Sequence, residues 1–197
     1  MTDRSVEAAL SAVAQEFDRR KQPFALVGGM AVSIRGEVRF TRDVDLAIQV
    51  STDAETERLV HGLSSAGYTP IASVEQTTMR RLATVRLRSP SGVVVDLLAA
   101  SSGIEAEVVA RAESVIIEGV GAILVGRAEE LLALKVLSMT PARLQDSIDA
   151  ASLLAVNAAL DVGAVRKLLG LIHARGFGRE QDLDAKLDAL LGDRPSR

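Results

Sequence analysis

The hydrophobic pattern of this chain changes period once. Up to about residue 126, short apolar runs and alternating stretches are mixed with helical spacing. From Arg127 onward every apolar pattern is helical. That switch predicts an α/β (α+β) fold: a mixed sheet flanked by helices over residues 1–126, followed by a C-terminal helical bundle over 127–197. Val6, Leu10, Val13 and Phe17 are helically spaced within residues 5–20, and Pro23 ends that segment. Residues 24–27 form an apolar run closed by Gly28 and Gly29, which predicts a buried strand entering a tight turn and a short helix over 30–35. Val44, Leu46 and Ile48 alternate with Asp43, Asp45 and Ala47, a strand of period two. Thr52 or Asp53 can cap the helix that follows. Residues 80–88 and 93–98 predict a hairpin around Ser89-Pro90-Ser91-Gly92, and residues 115–117 and 122–125 a second one. Helices are expected over 130–138, 142–156, 162–175 and 183–191.

Composition removes several functional classes. The chain has no cysteine and two histidines, His61 and His173, so disulfide scaffolds and Cys- or His-rich metal sites are excluded. A bound metal would take carboxylate oxygens, which favours magnesium, manganese or calcium. The net charge of -3 argues against duplex binding by bulk charge, although a local basic groove is compatible with it. No basic leader precedes an apolar run and no long apolar stretch occurs, so we expect a soluble cytoplasmic protein with no membrane span.

The informative stretch runs from Leu26-Val-Gly-Gly-Met to Arg39-Phe-Thr-Arg-Asp-Val-Asp-Leu. Asp43 and Asp45 stand at i and i+2 on a strand and therefore share a face, roughly 6–7 Å apart along it. Such a pair repels unless water screens it or a cation bridges it. Alone it describes the solvated face of many edge strands. Here it follows a strand–Gly-Gly–helix unit whose backbone N–H groups can cradle phosphate oxygens. Asp96 is embedded in Val93-Val-Val-Asp-Leu-Leu and is hard to place in a core. If its strand lay beside Asp43 and Asp45, three carboxylates would converge, as magnesium-assisted phosphoryl or nucleotidyl transfer requires.

Gly-Gly, then Asp-x-Asp, then a strand Asp resembles the DNA polymerase β-type nucleotidyltransferase superfamily. With the downstream Leu132-Ala-Leu-Lys and Arg143-Leu-Gln-Asp-Ser-Ile-Asp, the chain is similar to AbiEii/AbiGii-type toxin nucleotidyltransferases over residues 24–154. The resemblance implies a nucleotidyltransferase-type sheet and transfer of NMP from an NTP to an acceptor hydroxyl. It also implies Mg2+ or Mn2+ on Asp43, Asp45 and Asp96, which would be the catalytic acids. Gly28 and Gly29 would hold the triphosphate, Lys135 would reach it, and Asp146 would position it or the acceptor. Arg39 and Thr41 would shape the pocket. The superfamily usually has Ser after the two glycines; Met30 stands there, so a hydroxyl contact would have to come from Ser33.

The resemblance further implies an RNA acceptor, with a tRNA end favoured, and a cognate antitoxin as a partner. A basic approach to the acids is then needed. Arg80, Arg86 and Arg88 share one parity along the strand expected beside that of Asp96. The alternatives are a small-molecule, aminoglycoside-type nucleotidyltransferase and a non-catalytic relative that binds nucleotide.

Overall fold

The computed structural model describes residues 5–192. Helix α1 (Val6–Arg20) opens on Ser5, whose hydroxyl accepts from the Ala8 N–H at 3.0 Å. It buries Leu10, Val13 and Phe17. Strand β1 (Phe24–Val27) is buried along its whole length, as its uninterrupted apolar run requires. Gly28 turns the chain with a positive φ of 62° into α2 (Gly28–Arg35). After β2 (Asp43–Ile48), Thr52 caps α3 (Asp53–Ser64). Strands β3 (Thr69–Gln76), β4 (Arg81–Arg88) and β5 (Val94–Leu98) lead to α4 (Glu105–Arg111). A hairpin of β6 (Glu113–Ile117) and β7 (Gly121–Val125) precedes four helices: α5 (Ala128–Ser138), α6 (Leu144–Val156), α7 (Val162–Ala174) and α8 (Leu183–Gly192).

Among the described residues the seven strands form one mixed sheet in the order β3-β4-β5-β2-β1-β7-β6. The pairs β2–β5 and β1–β7 are parallel and the others antiparallel. The register matters most for function. Asp45 lies opposite Asp96 on β5 and opposite Val27, the last residue before Gly28, on β1. The sheet therefore delivers both acids and the Gly-Gly turn to one place.

This architecture is the mixed sheet with a helical C-terminal part that the period switch predicts. Two elements are absent from the sequence pattern, β3 and α4. Strand β3 is a sheet edge and is exposed along nearly all its length, so it carries no apolar alternation to read. Helix α4 is about two turns long, too short to repeat a helical period. One expected boundary also moves. Arg80 has a φ of 49° and sits in the turn before β4, so it does not share the strand face of Arg86 and Arg88. No helix among the described residues is long and apolar enough to cross a membrane.

The sheet and the C-terminal helices share one core. Leu26, Leu46 and Leu97 from the strands are in the same buried cluster as Leu132, Leu153 and Ile172 from the helices. Helix α5 packs on α6, α7 and α8, and α2 packs on both α5 and α6. Leu132 is fully buried in α5. Leu132→Ala should cost about 3 kcal/mol. Because the core is continuous, urea unfolding should show one transition by both far-UV circular dichroism and hydrogen exchange. Two separated transitions would show that the helices fold independently of the sheet.

Candidate active site

Most of the residues nominated by the sequence meet where β1 ends and β2 begins. Gly29, Arg39, Thr41, Asp43, Asp45, Asp96, Lys135 and Asp146 line one cleft of about 530 Å³, together with Phe40, Arg42, Arg86, Arg143 and Gln145. Gly28 is required by its positive φ and by a close approach, and Gly29 is closely approached. A Cβ on Gly28 would stand 1.9 Å from Asp45 Oδ2. A Cβ on Gly29 would stand 2.7 Å from Arg39 Nη2 and 2.8 Å from Thr41 Oγ1. The Gly29 N–H donates to the Asp45 carboxylate, so in this state the turn cradles an aspartate.

Asp45 carries the strongest electrostatic signature. Burial, and then the charge of Asp96, push its carboxyl up to about 6, with Lys135 pulling the other way. Asp96 is buried and faces Arg86 across the β4–β5 ladder. Arg86 holds both its oxygens, Nε donating to Oδ1 at 2.8 Å and Nη2 to Oδ2 at 2.6 Å. The acids also keep Arg86 firmly protonated, Asp96 above all and then Asp43 and Asp45.

The helical half contributes a second cluster. Lys135 Nζ lies 2.8 Å from Asp146 Oδ1 and 2.7 Å from Asp149 Oδ2. Arg39 Nη2 donates to Asp149 Oδ2 at 2.9 Å, and Gln145 donates to its other oxygen at 2.8 Å. Asp149 is 1% exposed. Burial pushes its carboxyl up, but the bonds from Arg39, Lys135 and Gln145 outweigh that and leave it below its ordinary value. Arg143 Nε lies 2.8 Å from Asp146 Oδ2, so Arg143 also closes on this cluster.

Two nominated groups sit differently from the expectation. Ser33 is outside the cleft lining. Its hydroxyl lies 3.1 Å from the carbonyl oxygens of Gly29 and Arg39 and accepts from the Arg39 N–H at 3.2 Å, so it fastens the 36–42 loop to α2. It does not replace the hydroxyl missing at Met30, whose side chain is in the core. Asp149 was legible in the sequence only as the far end of an Arg143–Asp146–Asp149 helical series. Its burial beneath two cations comes from tertiary contacts. Arg86 was expected to lead a phosphate backbone inward, and is instead engaged with the third acid.

Among the described residues no three His, Asp or Glu side chains stand as a ready-made metal cluster. The donor set nevertheless suits a hard divalent cation. Asp43, Asp45 and Asp96 offer only oxygen, and burial above all, then the charge of Asp96, raises the Asp45 carboxyl, a cost that such a cation would offset. Full use of Asp96 requires it to release Arg86. The cleft thus sets the acids of β2 and β5 opposite Lys135 of α5 and Arg143 just before α6.

The family model described as "Nucleotidyl transferase AbiEii toxin, Type IV TA system" matches residues 11–193. No curated protein matches the chain. Among solved structures it is similar to an antigenic nucleotidyltransferase-like protein from Paracoccidioides brasiliensis, at 23% identity and TM-score 0.51 over 93% of this chain and 92% of that one. It is also similar to ANT(2")-Ia in complex with adenylyl-2"-tobramycin, at 15% identity and TM-score 0.56 over 86% of this chain and 97% of that one. A third similarity is to the lincosamide antibiotic adenylyltransferase LnuA with lincomycin bound, at 13% identity and TM-score 0.50 over 78% and 99% of the two chains. At these identities the structural likeness is one of fold. The family match spans nearly the whole chain, and the chain is therefore a nucleotidyltransferase that belongs to the AbiEii toxin family.

Proposed function

We propose that this protein transfers NMP from an NTP to a hydroxyl at an RNA end, a tRNA end being the leading candidate, and acts as a toxin held in check by a cognate antitoxin. The observation that carries the reading is the pairing of Asp45 with Asp96 in register beside the Gly28–Gly29 turn. Mg2+ or Mn2+ would be held by Asp43, Asp45 and Asp96. When bound it would neutralise triphosphate charge and acidify the attacking hydroxyl. Lys135 and Arg143 would meet the phosphates from the helical side, exchanging part of their hold on Asp146 for the ligand. Arg39 and Thr41 form the wall that sets the width of the cleft. The acceptor oxygen attacks the α-phosphorus, the bond to the bridging oxygen breaks, and pyrophosphate leaves. The hydroxyl proton passes to a carboxylate of the cluster.

The similarity in fold to enzymes whose names carry tobramycin and lincomycin gives a second reading, transfer to a small-molecule antibiotic. Charge favours RNA over a polycationic aminoglycoside. Arg42 and Asp43 also line an adjoining cleft of about 590 Å³ with Arg88, and the active-site cleft adds Arg86 and Arg143. Arg86 and Arg143 are held by Asp96 and Asp146, so the attraction for a phosphate backbone rests on Arg42 and Arg88 at the rim.

Two measurements test this. The Asp45→Asn protein should show no pyrophosphate release with NTP and total RNA. Because the Asp45 carboxyl is raised, its ionisation destabilises the fold, and the loss develops as pH rises from the ordinary 3.8 through about 6. In the absence of divalent cation, Asp45→Asn should therefore be more stable than wild type by roughly 3 kcal/mol at pH 8, with little gain near pH 4. Full transfer activity in this variant would refute the mechanism.

Arg88 is the cleaner probe of the acceptor, because reversing Arg86 would also release Asp96. Arg88→Glu should weaken RNA transfer and lower the salt slope by about one, with NTP affinity unchanged. Turnover with aminoglycosides or lincosamides, and none with RNA, would favour the second reading.

A further inference from the structure

One side chain at the cleft is placed against its own solubility. The chain has five aromatic residues, four Phe and one Tyr. Phe17, Phe24, Tyr68 and Phe177 are buried, and Phe40 is 79% exposed. It sits on the 36–42 loop, where Val38 is also exposed, at 90%. Exposing a ring that size forfeits a large part of the burial that stabilises the other four.

The exposure does not come from a free loop. Arg39 is locked to buried Asp149, the Arg39 N–H is bonded to Ser33, and the Glu37 N–H donates to Ser152 on α6 at 2.6 Å. These ties lie before the ring, at Glu37 and Arg39, and β2 begins three residues after it at Asp43, so the segment is anchored at both ends and Phe40 lines the active-site cleft. The Arg42 guanidinium lies 5.6 Å from the ring centroid, giving the platform a cationic companion. A flat apolar face, an arginine beside it and a cleft of acids and cations call for a ligand with a planar ring and several negative charges.

We propose that Phe40 is the stacking platform for a nucleobase, that of the incoming NTP or that of the acceptor's terminal nucleotide. This rests on the nucleotidyl-transfer reading and names a recognition element for it. Stacking on an aromatic face tolerates every base, so the platform supplies affinity and position rather than base choice. Because the ring is exposed, removing it leaves packing intact, and Phe40→Ala should melt at the wild-type temperature.

The test uses titration calorimetry on the full chain with Mg2+. The probes are ATP, inorganic tripolyphosphate, and two short RNAs that differ only in whether the 3′-terminal nucleotide carries its base. Phe40→Ala should weaken at least one base-bearing probe by about tenfold or more and leave tripolyphosphate unchanged. Weakened ATP assigns the platform to the NTP. A weakened intact RNA, with the abasic one unaffected, assigns it to the acceptor. Phe40→Trp should restore affinity, and its indole, the sole one in the chain, should be quenched by the same probe. Unchanged affinity for every probe overturns the platform. So does an equal loss for tripolyphosphate, which would make the effect one of charge or structure. If wild type binds neither ATP nor tripolyphosphate, the nucleotidyl-transfer reading falls first and the platform with it.

Discussion

A single buried carboxylate holds the cleft together. Asp149 on α6 takes Arg39 from the loop after α2, Lys135 from α5 and Gln145 from its own helix. A charge this deeply buried is tolerable only when paired and hydrogen-bonded, and removing one partner of such a cluster strands the others. The pairing therefore acts as a constraint on position. It sets the 36–42 loop against the helical half, and through Arg39 it sets Phe40, Thr41 and the entry into β2. The sheet contributes Asp43, Asp45 and Asp96, α5 contributes Lys135, and Asp149 ties the helical half to the loop between them.

The opposite arrangement holds at the strand ends, where carboxylates crowd instead of cations. Asp45 is pressed against Gly28 so closely that no side chain could stand there. Its own burial and the charge of Asp96 make ionisation costly. Arg86 offsets part of that by holding Asp96 in both its oxygens. The guanidinium thus occupies the place where a cation is most favourable. An arrangement so unbalanced without an added cation is what functional sites built for charged ligands commonly show.

These two clusters explain why the fold keeps its helical half in contact with the sheet. Apolar packing of α5 and α6 on α2 supplies the stability, and the ion pairs that ride on it supply the alignment. The exposed ring of Phe40 sits on the same loop, one residue beyond the Arg39 clamp.

Much of this was legible in the sequence because it is local. The continuous apolar run of β1, the alternation of β2, a cap at Thr52 or Asp53 and the helical spacing after residue 126 are each properties of neighbouring residues. Asp43 and Asp45 share a face because side chains alternate along a strand. What the tertiary structure alone decided is what those residues meet. Strand order and register put Asp96 beside Asp45 and Arg86 on Asp96. Helix packing turned an ordinary-looking Arg-x-x-Asp-x-x-Asp series into a buried clamp. Edge strand β3 left no trace in the pattern because an exposed edge has no buried face to mark it. Short-range periodicity is written in the order of residues, whereas the pairing of charges far apart in the chain depends on burial, which only the assembled core creates.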